Sequence, residues 1–100
     1  MKGKIYSINE IKKRFEKVAQ KYEINEAYLF GSYARGEATQ KSDVDFYIRM
    51  NRPKDPLALC GIWVDTEKAM NKKIDIVSSR ATIEKGFEEE MKKDWVKIYG

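Results

Sequence analysis

Leu29 to Ile48 reads LFGSYARGEATQKSDVDFYI, and this stretch decides how the rest of the chain is read. Its left end closes the apolar run Ala27-Tyr28-Leu29-Phe30, which has the look of a buried strand stopped by Gly31. A short turn or helix follows through Arg35-Gly36. A strand-to-helix corner of this kind aims backbone N–H groups at one point, where an anion such as a phosphate fits. Gly31 lets that anion come close to the backbone, and the Ser32 hydroxyl adds a donor. At the right end, Val44-Asp45-Phe46-Tyr47-Ile48 alternates as a second strand. Val44, Phe46 and Ile48 share one face, and Asp43, Asp45 and Tyr47 share the other, with Tyr47 expected to be exposed. Asp43 and Asp45 then stand side by side, about 7 Å apart at Cα. Two such carboxylates repel unless a cation lies between them, and oxygen ligands on a rigid element suit Mg²⁺.

Working outward, Ser7 and Glu10 form a capping box, and Tyr6 can staple onto Ile11. Ile11, Phe15, Val18 and Tyr22 then make one apolar helical stripe. Beyond the central stretch, Asn51 to Pro56 is a turn in which Asp55 caps a helix and Pro56 takes its first position. That helix runs to about Met70 with an apolar face of Leu59, Ile62, Trp63, Thr66 and Met70, and Gly61 weakens it slightly. Lys73-Ile74-Asp75-Ile76-Val77 is a third strand. Ile83, Phe87 and Met91 mark a last helix before a short strand at Val96 to Tyr99. The expected fold is α+β, an αβαβαβ core with a mixed sheet of three to four strands packed with helices. One domain over residues 1–100 is the expected organisation.

Composition narrows the chemistry. The chain has no histidine and one cysteine, Cys60. That excludes an imidazole-dependent triad, a His-ligated zinc, an internal disulfide and a Cys-clustered metal site. Catalysis would therefore fall to carboxylates, hydroxyls, lysines or arginines around a hard metal. The net charge of +4 is uneven. Residues 1–21 carry seven positive and two negative charges, whereas residues 22–49 carry three positive and five negative. The first helix has a lysine-rich face (Lys12, Lys13, Lys17, Lys21) without interleaved aromatics, as expected of a solvated surface rather than a nucleic-acid patch. Charges interrupt every apolar run at the N-terminus, and the longest uncharged stretch, Pro56 to Val64, is nine residues. No membrane association and a cytoplasmic location are the expectations.

Asp75 resembles Asp45 in interrupting an apolar strand, where an unpaired charge is expensive to bury. The simplest explanation for both is convergence on one cation. Three carboxylates beside a phosphate cradle describe a two-metal phosphoryl-transfer site. At this point Gly31-Ser32, a ten-residue gap and Asp43-x-Asp45 resemble the signature of the DNA polymerase β-like nucleotidyltransferases. The fuller string GSYARGEATQKSDVDF resembles the minimal nucleotidyltransferase branch, small proteins often encoded beside a HEPN-domain toxin. The likeness is close over residues 27–48, and Asp75 supports it. Phe46 and Tyr47 depart from it where small aliphatics are commoner.

The resemblance implies that Gly31 and Ser32 hold the β- and γ-phosphates of ATP or another nucleoside triphosphate. It also implies that Asp43, Asp45 and Asp75 are catalytic and bind two Mg²⁺ ions. An acceptor hydroxyl, a tyrosine of a HEPN toxin partner, would receive AMP and be silenced. Ser42 joins the nucleotide-binding set, and Arg35 or Lys41 could touch the triphosphate or be solvated loop charges. Arg35 could instead pair with Glu37. Two other classes stay open. One is a non-catalytic antitoxin acting by contact, for which a full set of strand carboxylates has no use. The other is a basic RNA-binding domain, resting on a pI near 9.1; direct nucleic-acid binding is not expected. Cys60 reads as core, Trp63 and Trp95 as packing residues, and Glu88-Glu89-Glu90 as a solvated face offset by Lys92 and Lys93.

Overall fold

Ser7 opens α1 (Ile8–Lys21) as its spacing predicts. Its Oγ accepts the Glu10 N–H at 3.1 Å, while Glu10 Oε1 accepts the Ser7 N–H at 3.2 Å. Such a cap is worth about 1 kcal/mol. The stripe of Ile11, Phe15 and Val18 is buried, and Tyr22 caps the C-terminal end half-buried. The computed structural model describes residues 5–50, 57–78, 89 and 92–100.

Four strands form one sheet in the order β3-β2-β1-β4: β1 (Glu26–Phe30), β2 (Val44–Arg49), β3 (Ile74–Ser78) and β4 (Val96–Tyr99). β1 runs antiparallel to β2 and β4, while β2 and β3 are parallel. The parallel pair needs a crossover, which α3 (Ala58–Met70) supplies. The sheet is therefore mixed and the fold α+β, as the alternation of periods predicts.

Period-two alternation gives the sheet two different faces. Ala27, Leu29, Val44, Phe46 and Ile48 are completely buried on one, joined by Ile74, Ile76 and Ile98. α1 covers this face, with Phe15 stacked on Phe46 at 5.0 Å between ring centroids. α3 contributes Ile62 and Met70. The two helices are clamped at both ends. Tyr6 donates to the Met70 carbonyl at 2.5 Å and Arg14 to the Ala69 carbonyl at 2.8 Å, while Lys21 and Tyr22 both donate to Asp65. Each buried large side chain contributes about 1.5–3 kcal/mol, so this face carries much of the stability.

Several expectations change. Tyr47 is only 3% exposed, because Trp95 lies across its face of the sheet with ring centroids 5.5 Å apart. Cys60 is exposed on α3, not part of the core, and Leu59 is 38% exposed. The helical period there places Ile62, Thr66 and Met70 inward instead. α3 begins at Ala58 with Leu57 at the N-cap and no side-chain cap. Asp55, Pro56, the turn before them and the last helix of Ile83, Phe87 and Met91 lie outside the described residues, as do Glu88 and Glu90; Glu89 is exposed. Among the described residues no helix is long and apolar enough to cross a membrane.

Candidate functional site

β1 ends against an abrupt change of direction. Gly31 has φ +74°, a left-handed value that side chains rarely adopt, and it starts the five-residue α2 (Gly31–Arg35) directly after the strand. No side chain caps the first turn of α2. Gly36, also left-handed at φ +73°, ends it. Gly31 is required for a second reason: a Cβ there would collide with the Asp45 carboxylate. The turn and the acidic strand are thus built against each other.

Register sets the carboxylates. Asp45 of β2 lies opposite Asp75 of β3 and, on its other side, opposite Phe30, the last residue of β1. Asp45 is half-buried, while Asp43 and Asp75 are exposed at its flanks. The expectation that Asp75 is buried in its strand is corrected: β3 lies at the sheet edge, so the residue reaches solvent beside its neighbour. Among the described residues no hydrogen-bond donor engages any of the three carboxylates. Burial, followed by repulsion from Asp75 and Asp43, pushes Asp45 up to about 6, with Arg35 partly opposing the rise.

An uncompensated carboxylate pair with nearby anions fits a hard divalent cation, because the cation removes the repulsion that raises Asp45. Among the described residues no three such side chains already converge on one point at ligand distance. A bound ion would have to draw the exposed Asp43 and Asp75 inward.

The other candidates divide. Ser32 is half-buried at the corner and its hydroxyl makes no hydrogen bond among the described residues. Arg35 Nε donates to Glu37 Oε1 at 3.1 Å, so the local ion pair forms while the guanidinium still lowers the Asp45 pKa. Ser42 Oγ accepts the Thr39 N–H at 2.8 Å and so shapes the loop in front of Asp43. Lys41 is exposed on that loop. Two contributions have no sequence signal of their own. Lys72 donates to the Tyr33 hydroxyl at 2.9 Å and to the Gln40 carbonyl at 3.4 Å, tying α2 and its loop to the start of β3. One row along the carboxylate face, Tyr28, Tyr47 and Trp95 gather around Arg49. The alternation of β2 already places Tyr47 on the carboxylate face, two residues from Asp45, but Trp95 joins only through the register of β4. A hollow beside α1 and α3, lined in part by Tyr22, Met50, Leu57 and Gly61, includes none of the carboxylates.

Residues 9–100 match the family model described as Polymerase beta, Nucleotidyltransferase. A Methanocaldococcus jannaschii protein provisionally named a protein adenylyltransferase is 32% identical over 72 residues, which are 72% of this chain and 77% of that protein. The fold is similar to a provisionally identified minimal nucleotidyltransferase, with TM-score 0.76 and 24% identity over 94% of this chain and 98% of that one. It is also similar to a chain in the complex of a tri-AMPylated Shewanella oneidensis HEPN toxin with MNT antitoxin. There the TM-score is 0.70 and the identity 17%, covering 93% of this chain and 72% of that one.

Proposed function

The chain belongs to the polymerase β nucleotidyltransferase family, and on that premise we propose that residues 1–100 are one minimal catalytic domain that transfers AMP from ATP to a hydroxyl of a partner protein. The acceptor is a tyrosine of a HEPN toxin, and its modification makes this chain the antitoxin. One observation carries the reading: Asp45 is in register with Asp75 and packed so tightly beneath Gly31 that a Cβ has no room. Phosphate cradle and carboxylates are therefore one site. The names of the relative and of the structural neighbour support the transferred group and the kind of partner.

Gly31 and Ser32 receive the β- and γ-phosphates at the corner, through backbone N–H groups and the Ser32 hydroxyl. Arg35 and Lys41 add positive charge beside the triphosphate, and Ser42 acts by holding the loop that presents Asp43. Mg²⁺ ions held by Asp43, Asp45 and Asp75 would neutralise triphosphate charge and lower the pKa of the attacking hydroxyl. The hydroxyl oxygen forms a bond to the α-phosphorus as the bond from that phosphorus to the pyrophosphate oxygen breaks. Asp75, exposed at the sheet edge, takes the proton, and pyrophosphate leaves with the electron pair on the Gly31 side. No imidazole is needed.

The test incubates the full chain with ATP labelled at the α-phosphate, Mg²⁺ and the product of the neighbouring gene. Label on the toxin, lost with chelator and in Asp43→Asn/Asp45→Asn, is expected. Full neutralisation of the toxin by that double variant would establish inhibition by contact and overturn the catalytic reading.

A further inference from the structure

The carboxylates are one row of a sheet face, and the next row is aromatic. Phe30, Asp45 and Asp75 lie opposite one another across β1, β2 and β3; two residues further along lie Tyr28, Tyr47 and Val77. The spacing between rows is about 7 Å. Trp95 lies over the second row, stacked on Tyr28 at 4.0 Å and tilted to Tyr47 at 5.5 Å. Arg49 closes the far end, 5.7–5.9 Å from the centroids of all three rings. Lys92 lies 5.9 Å from the Trp95 ring, and the exposed Lys97 is opposite Tyr28 in the β4 register. The carboxylate of Glu26, beside Arg49 in register, already accepts the Tyr28 hydroxyl at 3.0 Å. The shelf is therefore aromatic and net positive, although it continues directly from an acidic site.

In-line displacement assigns an occupant. Nucleophile and leaving group stand on opposite sides of the α-phosphorus, while the ribose oxygen departs sideways from that axis. With pyrophosphate held at Gly31 and Ser32, the attacking hydroxyl enters from the side opposite the corner, and there the sheet face presents the aromatic row. Resting on the transfer reading above, we propose that the shelf of Tyr28, Tyr47, Trp95 and Arg49 seats the acceptor: a protein segment that presents an aromatic hydroxyl between acidic neighbours. The part-exposed rings of Trp95 and Tyr28, with the buried Tyr47 supporting them from beneath, pack against the acceptor's ring, and Arg49 and Lys97 attract its flanking carboxylates.

Fluorescent peptides with one tyrosine flanked by glutamates, glutamines or lysines test this, titrated against the full chain with Mg²⁺ and an α,β-methylene ATP analogue. A Trp63→Phe background leaves Trp95 as the sole tryptophan reporter. The glutamate peptide is expected to bind about tenfold more tightly than the lysine peptide and to shift Trp95 emission. Arg49→Gln/Lys97→Gln should weaken it about tenfold while leaving analogue affinity within about twofold. Lys97→Gln alone, at an exposed position, gives a smaller change in the same direction if the double variant fails to fold. Equal binding of all peptides, no binding of the glutamate peptide, or the full Trp95 shift with the analogue alone would overturn the proposal. Loss of AMP transfer with peptide preference intact would instead strike the catalytic reading.

Discussion

Asp45 and Asp65 are the same residue type, both partly covered, and the fold treats them in opposite ways. Asp65 on α3 accepts Lys21 Nζ at 2.8 Å and the Tyr22 hydroxyl at 2.7 Å. These bonds hold its carboxyl below the ordinary aspartate value and raise the pKa of Lys21 and of the Tyr22 phenol. Asp45 has no donor among the described residues, and burial, followed by repulsion from Asp75 and Asp43, pushes it up to about 6. One carboxylate is satisfied by the fold and ties two helices together. The other is left without a donor and beside two like charges, which is what the proposed cation site would answer. On the proposed function, the difference separates a residue kept for structure from one kept for chemistry.

The sharpest way to break the contrast is to remove each charge in turn. Asp45→Asn is expected to lower AMP transfer by about 10³-fold or more, since it removes the central carboxylate of the proposed metal site while keeping volume. Asp65→Asn is expected to leave turnover within about twofold and to lower the thermal midpoint, because the Lys21 and Tyr22 donors lose their charged acceptor. Label transfer and thermal melts on the same preparations read both. A loss of transfer in Asp65→Asn comparable to that of Asp45→Asn would erase the distinction.

Gly31→Ala attacks the acidic site from the backbone. The methyl must occupy the space of the Asp45 carboxylate, and the residue must hold φ +74°. Strain of this kind costs about 1–3 kcal/mol. Displacing the carboxylate by about an ångström should reduce transfer about 10²-fold. Nucleotide titration separates the parts: a fall in turnover larger than the fall in ATP affinity points to Asp45, and the reverse to the phosphate corner.

Stability against pH should show the two aspartates with opposite sign. The folded pKa of Asp45, about 6, lies above the ordinary 3.8, so the fold holds this proton more tightly than the unfolded chain does. That contribution is whole below about pH 4 and is lost as pH rises through about 6. Discounted for a half-exposed group, it amounts to about 1–2 kcal/mol. Asp45→Asn should therefore gain stability on the metal-free parent between pH 4 and 7 by about that much, and added Mg²⁺ should narrow the gain. Asp65 runs the other way: its contribution is present above the ordinary aspartate value and fades as pH falls through its lowered one. Urea denaturation from about pH 2 to 7, on both variants, tests the signs.

Local pattern carried most of the acidic site. Gly31-Ser32 and Asp43-x-Asp45 lie within one short stretch, and Asp75 interrupts a recognisable strand, so period-two alternation alone predicts a shared face. The capping box and the strand order along the chain were legible for the same reason. Long-range register was not. Nothing local says that Trp95, fifty residues from Asp45, lies over Tyr47 and turns an expected exposed face into a covered one. Nor does composition tell a buried Cys60 from an exposed one, because the apolar face of α3 is broad and only docking against α1 and the sheet selects Ile62, Thr66 and Met70.

Gly61 is the smallest test and the least obvious from sequence, where it reads only as a weak point in α3. In the fold it makes room for the satisfied aspartate: a Cβ there would stand 2.7 Å from the Tyr22 hydroxyl and 3.2 Å from its ring. Gly61→Ala gains up to about 1 kcal/mol in helix propensity. It also pushes Tyr22 off Asp65, and losing that bond opposes the gain. The net stability change should fall within about 1 kcal/mol, while the Tyr22 phenol, raised chiefly by its bond to Asp65, moves back toward its ordinary pKa of 10.0. A spectrophotometric tyrosine titration, compared with Tyr22→Phe to isolate that ring, reads the shift directly. If the Tyr22 titration is unchanged in Gly61→Ala, the glycine is not what lets α1 and α3 meet around Asp65.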